Sequence, residues 1–328
     1  MMRHSVKLLA ATLMGVPLIA TAQSAAVQSA TDYPMKPVRV IVPTATGAAT
    51  DLQARLLAQK LSASLKRSFV IENRTGAGYT AGYDIVSKAA PDGYTLMASS
   101  VAITFVPALR PDLPLDPSRE FAAVSLVAKA PFLLLAHPAL PAKSVRELLA
   151  LAKAQPGVLN MGVANGATTH LVSAMFASMA GVKVTLIAYK GSAPVMIDTI
   201  SGQVHLLFAN VLAALPYVRA NRLRALGIST VERSAVLPDL PTIAASGVPG
   251  FDVSTWHGWL APAGTPSALI NKLSTELAVA VKAPDVAGKL AEDGGEAVGG
   301  SADQLQKLIA IEVPRWRKVV KESGMRVE

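Results

Sequence analysis

The chain has 328 residues, with 31 Lys and Arg against 22 Asp and Glu for a net charge of +9, and it is 51% hydrophobic but only 16% charged. Such a length supports about two domains, and this composition buries enough apolar surface to offset ordering entropy, which excludes a disordered chain. With no Cys, thiol nucleophiles, thiolate zinc sites, iron–sulfur clusters, disulfides and a lipidated N-terminal Cys are excluded; five His without an H-E-x-x-H spacing give a catalytic metal no support, so neither metal nor cofactor is expected.

At the N-terminus, Arg3, His4 and Lys7 precede an uncharged run over residues 8–22 that ends Ala20-Thr21-Ala22. This is the pattern of a secretory signal peptide cut after Ala22, and the run is shorter than the roughly 20 apolar residues of a membrane span. Residues 1–22 are read as a leader and the rest as an exported protein. Further along, residues 38–42 form a strand, 51–66 a helix with Leu52, Leu56, Leu57, Leu61 and Leu65 at helical spacing, 69–72 a strand, 81–89 a helix and 95–98 a strand. This β-α-β-α-β rhythm predicts an α/β fold with a parallel sheet.

A second set of units follows: a strand over 124–136, then a helix over 144–153 with Ser144 as N-cap and Glu147 completing a capping box. Strands at 159–163, 184–188, 206–208 and 223–229 enclose helices at 169–179 and 193–201. After a Pro-rich stretch, 238–249, come a strand at 255–261 and amphipathic helices at 267–282 and 302–323. The basic clusters at 219–224 and 315–321 read as solvated helix faces, and 5% aromatic residues offer few stacking platforms, so no nucleic-acid partner is expected. The charge implies only a mild attraction for anions.

Four strand-to-helix junctions are rich in small, hydroxyl-bearing or glycine residues: Thr44-Ala45-Thr46-Gly47-Ala48-Ala49-Thr50-Asp51, Ser99-Ser100, Asn165-Gly166-Ala167-Thr168-Thr169-His170 and Tyr189-Lys190-Gly191-Ser192. Helix N-termini carry unpaired N–H donors and partial positive charge, and in an α/β sheet these junctions gather at one edge, so together they predict an anion pocket. Each is also an ordinary cap or turn taken singly. The glycines of Gly76-Ala77-Gly78-Tyr79-Thr80-Ala81-Gly82 are spaced too widely for a dinucleotide fingerprint. There is no P-loop and no G-x-S-x-G elbow. His170 in a first helical turn reads as packed or capping as readily as a base; His257, between Trp256 and Gly258-Trp259, reads slightly better as cleft-lining than as core.

Five segments occur together in order: Tyr33-Pro34-x-Lys36-Pro37-Val38-Arg39, Glu72-Asn73-Arg74-Thr75-Gly76-Ala77-Gly78, Ala89-Ala90-Pro91-Asp92-Gly93-Tyr94-Thr95-Leu96, Tyr189-Lys190-Gly191-Ser192-Ala193-Pro194 and Leu237-Pro238-Asp239-Leu240-Pro241-Thr242. From about Tyr33 onward the chain resembles the substrate-binding proteins of tripartite tricarboxylate transporters, the Bug group of Gram-negative bacteria. The resemblance implies a periplasmic, non-enzymatic, monomeric protein with the two-lobed type II periplasmic binding-protein fold and two hinge crossings. Lobe 1 would hold residues 33–129 and 250–328 and lobe 2 residues 130–249, closing on a small carboxylate that is handed to membrane permease subunits.

The family's first loop reads P-F-x-x-G-G-x-T-D and grips a ligand carboxylate; Pro43, Gly47, Thr50 and Asp51 keep it, while Thr44 and Ala48 depart. Its second, G-N-G-S-x-x-H, is matched by Asn165, Gly166, Thr168 and His170, with Ala167 for the hydroxyl residue. Where the family commonly has F-D-N this chain has Phe208-Ala209-Asn210, and His257 stands where Phe is common. The resemblance thus implies a di- or tricarboxylate or aromatic carboxylate rather than an amino acid. An extracytoplasmic sensor, or an exported α/β hydrolase using His170 or His257, are the competing readings.

Overall fold

The computed structural model describes residues 32–76, 79–111, 115–234, 236–292 and 294–325, so the leader read at 1–22 lies outside it. Chain order is β1 (Val38–Val42), α1 (Ala49–Leu65), β2 (Phe69–Asn73), α2 (Thr80–Ser87), β3 (Thr95–Ser100), α3 (Ala102–Leu109), α4 (Pro117–Glu120) and β4 (Phe121–Ala136). Then come α5 (Val145–Ala154), β5 (Asn160–Ala164), α6 (Thr168–Ala180), β6 (Thr185–Tyr189), α7 (Ser192–Ile200), β7 (Leu206–Asn210), α8 (Val211–Arg219) and β8 (Arg224–Ile228). The chain closes with β9 (Ser254–Pro262), α9 (Ser267–Lys282), α10 (Pro284–Glu292), β10 (Glu296–Gly300) and α11 (Ala302–Ser323).

The strands run β2-β1-β3-β9-β4-β7-β5-β6, with β10 and β8 added on β4. Each half holds a parallel set, β2-β1-β3 in one and β6-β5-β7 in the other, whose strands feed directly into helices. The 16-residue β4 joins them. Its first part pairs antiparallel with β9, as far as Pro131 opposite Ser254, and its last residues pair with β7 from Phe132 opposite Asn210. The result is a two-lobed α/β protein. The chain returns between the lobes just before β9, where Val253 donates its amide to Ser229 O.

At that crossing the Ser229 hydroxyl, fully buried, accepts from the Phe132 amide (2.8 Å) and donates to Val253 O (2.6 Å). One side chain thus satisfies backbone groups of both linking segments, beside the backbone bond from Ser229 N to Phe132 O at 3.0 Å. Beneath, one apolar cluster runs through both lobes, from Ile41 and Trp256 to Phe176, Phe208 and Phe251, the last three packed with ring centroids 5.7–6.2 Å apart. A second cluster lies between the β1 sheet face and α1 and α9; a smaller third one, with Leu133, Val195, Met196 and Leu207, lies under α7 and α8.

The helices at 267–282 and 302–323 stand as their apolar spacing predicts. Helices α3 and α8, which carry Pro107 and Pro216 inside them, lie outside the predicted elements, as do α4, α10 and β10. Two local readings are corrected. Ser144 caps α5, but the Glu147 carboxylate accepts from the Lys143 amide, so no reciprocal box forms there; the complete box is Ser301 with Gln304. The 219–224 cluster is not a helix face: Arg219 ends α8 and Arg224 starts β8, its guanidinium bound to the carbonyls of Pro138, Leu140 and Ala142.

Candidate functional site

The loop between β1 and α1 turns tightly, with Ala48 N donating to Ala45 O at 3.1 Å, and Gly47 takes a left-handed φ of 85° that a Cβ would strain. The Gly47 amide donates to Asp51 Oδ2 at 2.9 Å. Asp51 is fully buried and also receives Arg55 Nε (3.1 Å) and Asn73 Nδ2 (2.9 Å). Burial pushes its pKa up, but the bonds from Arg55, the Gly47 amide and Asn73 outweigh this and hold it below the usual carboxylate range.

The Asp51 carboxylate is thus engaged by internal donors and braces the loop from behind. Asn73, which the sequence reading left without a role, completes the brace by donating to Thr44 O (3.0 Å) and accepting from Thr46 Oγ1 (3.2 Å) and Arg55 (2.8 Å). The brace leaves Ala45, Thr46 and Gly47 exposed, and the first-turn amides of Ala49, Thr50 and Asp51 find no acceptor among the described residues. Thr44 Oγ1 is buried without a partner.

The loop between β5 and α6 repeats this construction in the other lobe. Ala167 N donates to Ala164 O at 3.1 Å, Gly166 is left-handed at φ 68°, and its amide reaches His170 Nδ1, four residues on, at 3.4 Å. Here the acceptor is a half-buried imidazole whose pKa burial pushes down, so a neutral ring holds the turn, and more weakly than a carboxylate. Thr168 and Thr169 amides are left without acceptors among the described residues. Asn165 is held to β6 through Tyr189 O at 2.9 Å.

The remaining candidates separate. Ser99 is 1% exposed with Oγ 3.5 Å from the buried Tyr83 hydroxyl, so its side chain packs in the core. Ser100 is half-buried and lies opposite His257 in the β3–β9 register. Burial pushes the His257 imidazole down to about 4, so it is neutral at physiological pH. Tyr189 donates to Asp198 at 2.8 Å, Lys190 is exposed, and Gly191 is extended before α7. Of the motif Gly76-Ala77-Gly78, the last two residues lie outside the described ones.

A cavity of about 380 Å³ opens among the ends of β5 and β7 and helices α6, α7 and α8. Thr169, Ala209 and Asn210 from the sequence reading line it. Sequence reasoning missed its walls, Met196 and Ile197 on the predicted α7 and Ala213 and Tyr217 on α8, which was not among the predicted helices. Among the described residues no group of His, Asp and Glu could hold a metal ion, and no helix is long and apolar enough to cross a membrane.

Residues 53–325 match the family described as tripartite tricarboxylate transporter family receptor. The chain is 37% identical over 313 residues to protein BugT of Bordetella pertussis, covering 94% of this chain and 96% of that protein. Among solved structures it is similar to Rpa4515 of R. palustris with adipate, at 36% identity and a TM-score of 0.71, covering 90% of this chain and 99% of that one. It is also similar to MatC of Rhodopseudomonas palustris with bound malate, at 32% identity and a TM-score of 0.69, covering 88% and 100%.

Proposed function

Because the chain belongs to the tripartite tricarboxylate transporter receptor family, whose members are non-enzymatic periplasmic solute-binding proteins, we propose that it captures a small organic carboxylate between its lobes and delivers it to the membrane subunits of such a transporter. Lobe 1 would comprise residues 33–129 and 250–328, and lobe 2 residues 130–249. The protein is exported with loss of residues 1–22 and acts as a monomer.

The observation that carries this reading is the repeated turn: Gly47 and Gly166, one in each lobe, leave the first amides of α1 and α6 unpaired. Such donors, with the helix dipoles behind them, suit a carboxylate and need no Arg. Lobe closure would bring the two sets together on one anion. The relatives with adipate and malate support a carboxylate ligand. Ala209 at the end of β7 offers no counter-charge to an ammonium group, which argues against an amino acid.

A thermal-shift screen of the chain without residues 1–22 tests this. Succinate, citrate, adipate and aromatic acids are expected to include a stabilising ligand. Stabilisation by aspartate or glutamate alone would refute the ligand class, and none by any carboxylate would refute the reading itself.

A further inference from the structure

The cavity under α7 and α8 has a polar rim and an apolar interior. Thr169, Ser192 and Asn210 sit at the beginnings of α6, α7 and α8, while Met196 and Tyr217 lie farther along their helices. Of its lining, Val195, Met196, Leu207 and Phe208 are buried, whereas Ser192, Ala193, Ile197, Asn210 and Ala213 are exposed. None of its lining residues is charged. Asp198 does not line it and is engaged by the Tyr189 hydroxyl; Arg222 stacks on the Tyr217 ring at 5.9 Å but does not line it either.

We infer that this recess receives the uncharged body of the ligand, so that the solute is a monocarboxylate with an apolar tail, aromatic or alicyclic, instead of a dicarboxylate. The inference rests on the proposed carboxylate capture and narrows its substrate class. A second carboxylate carried past the rim donors to the level of Val195, Met196, Leu207 and Phe208 would lose its hydration with no charged residue in the lining to replace it. An apolar cavity of about 150 Å³ already holds benzene, and this one measures about 380 Å³. Small residues, Ala164, Ala209 and Ala213, provide the room. Ile197, 64% exposed on the wall, supplies apolar surface that a tail would cover.

Calorimetric titration of the chain without residues 1–22 decides the matter, using benzoate, phenylacetate and cyclohexanecarboxylate against succinate, adipate and citrate. An apolar monocarboxylate is expected to bind at least about tenfold more tightly than any di- or tricarboxylate, the discrimination an unpaired buried charge imposes. Ala213→Phe, at an exposed position on the cavity wall, should abolish that binding without lowering the melting temperature. Ala193→Phe on the facing helix is a second plug should the first destabilise the fold. Tighter binding of dicarboxylates, or unchanged affinity in the well-folded plugged variants, overturns this inference while leaving carboxylate capture standing. Failure of every acid to bind overturns both.

Discussion

The indole N–H of Trp256 donates to the buried carboxyl of Glu312 at 2.9 Å, fastening β9 to α11. Thr104 on α3 donates to the same oxygen at 3.2 Å. Three elements thus converge on one acid that is 2% exposed, next to the strand that carries His257. Farther along, the C-terminal helix packs near α6, where Ser178 donates to Glu322 at 3.4 Å.

Burial pushes the Glu312 carboxyl up to about 7, against the opposing pull of Trp256, Arg315 and Thr104. The folded state therefore holds a proton that the unfolded chain releases above about 4.5. The associated stability is fully present below pH 4.5 and is lost as pH rises to about 7. Glu312→Gln removes this dependence and gains on the wild type across that window, reaching roughly 3 kcal/mol at its upper end. Urea melts of both proteins from pH 5 to 8 measure the difference; parallel curves refute the assignment.

His257 acts with the opposite sign. Its folded pKa, lowered to about 4 by burial, lies below the unfolded value of 6.5, so its contribution is present above pH 6.5 and is lost as pH falls toward 4. His257→Gln should flatten the acid side of the stability profile, and nuclear magnetic resonance titration of the ring should show a neutral imidazole at pH 6. A ring half-charged there contradicts its burial.

Asp51→Ala strips the acceptor from the Gly47 amide, Arg55 and Asn73 together. The expected loss is about 2–3 kcal/mol of stability and a fall in carboxylate affinity through a slackened loop. His170→Ala, removing one long neutral contact, should cost less than about 1 kcal/mol. Equal losses in denaturant melts would show that the two turns are not braced as described.

Ser229→Ala leaves the Phe132 amide and Val253 carbonyl buried without their shared hydroxyl. A loss of about 1–3 kcal/mol is expected, together with faster amide exchange at Phe132 than in the wild type. Unaltered exchange would mean that the hydroxyl is not what secures the crossing.

Much of this was legible in the residues, and the exceptions have physical causes. The helices α1, α9 and α11 show apolar positions at helical spacing over many turns, and the loops around Gly47 and Gly166 announce themselves by glycine beside hydroxyl residues. The bracing role of the Asp51 side chain was not legible, because a carboxylate at a helix start reads equally as a cap or a ligand contact and its partner Asn73 lies 22 residues away, a pairing no local pattern reveals. Ser99 and Ser100 look alike in sequence, yet successive strand residues face opposite sides, and one of them goes to the core. The recess beneath α7 and α8 belongs to two helices at once, and α8, with Pro216 inside it, was not among the predicted helices.

In β4, Pro131 brings no N–H to the ladder, and the next residue's amide goes to a rotatable hydroxyl on Ser229. The join between the crossing segments is therefore shared: the Ser229 hydroxyl acts beside the backbone bonds from Ser229 N to Phe132 O and from Val253 N to Ser229 O, which tie the two crossings into one band. Any displacement of one lobe against the other must bend both crossings together, and it works against the apolar cluster that runs from Trp256 to Phe208 and against the Ser178 contact to Glu322.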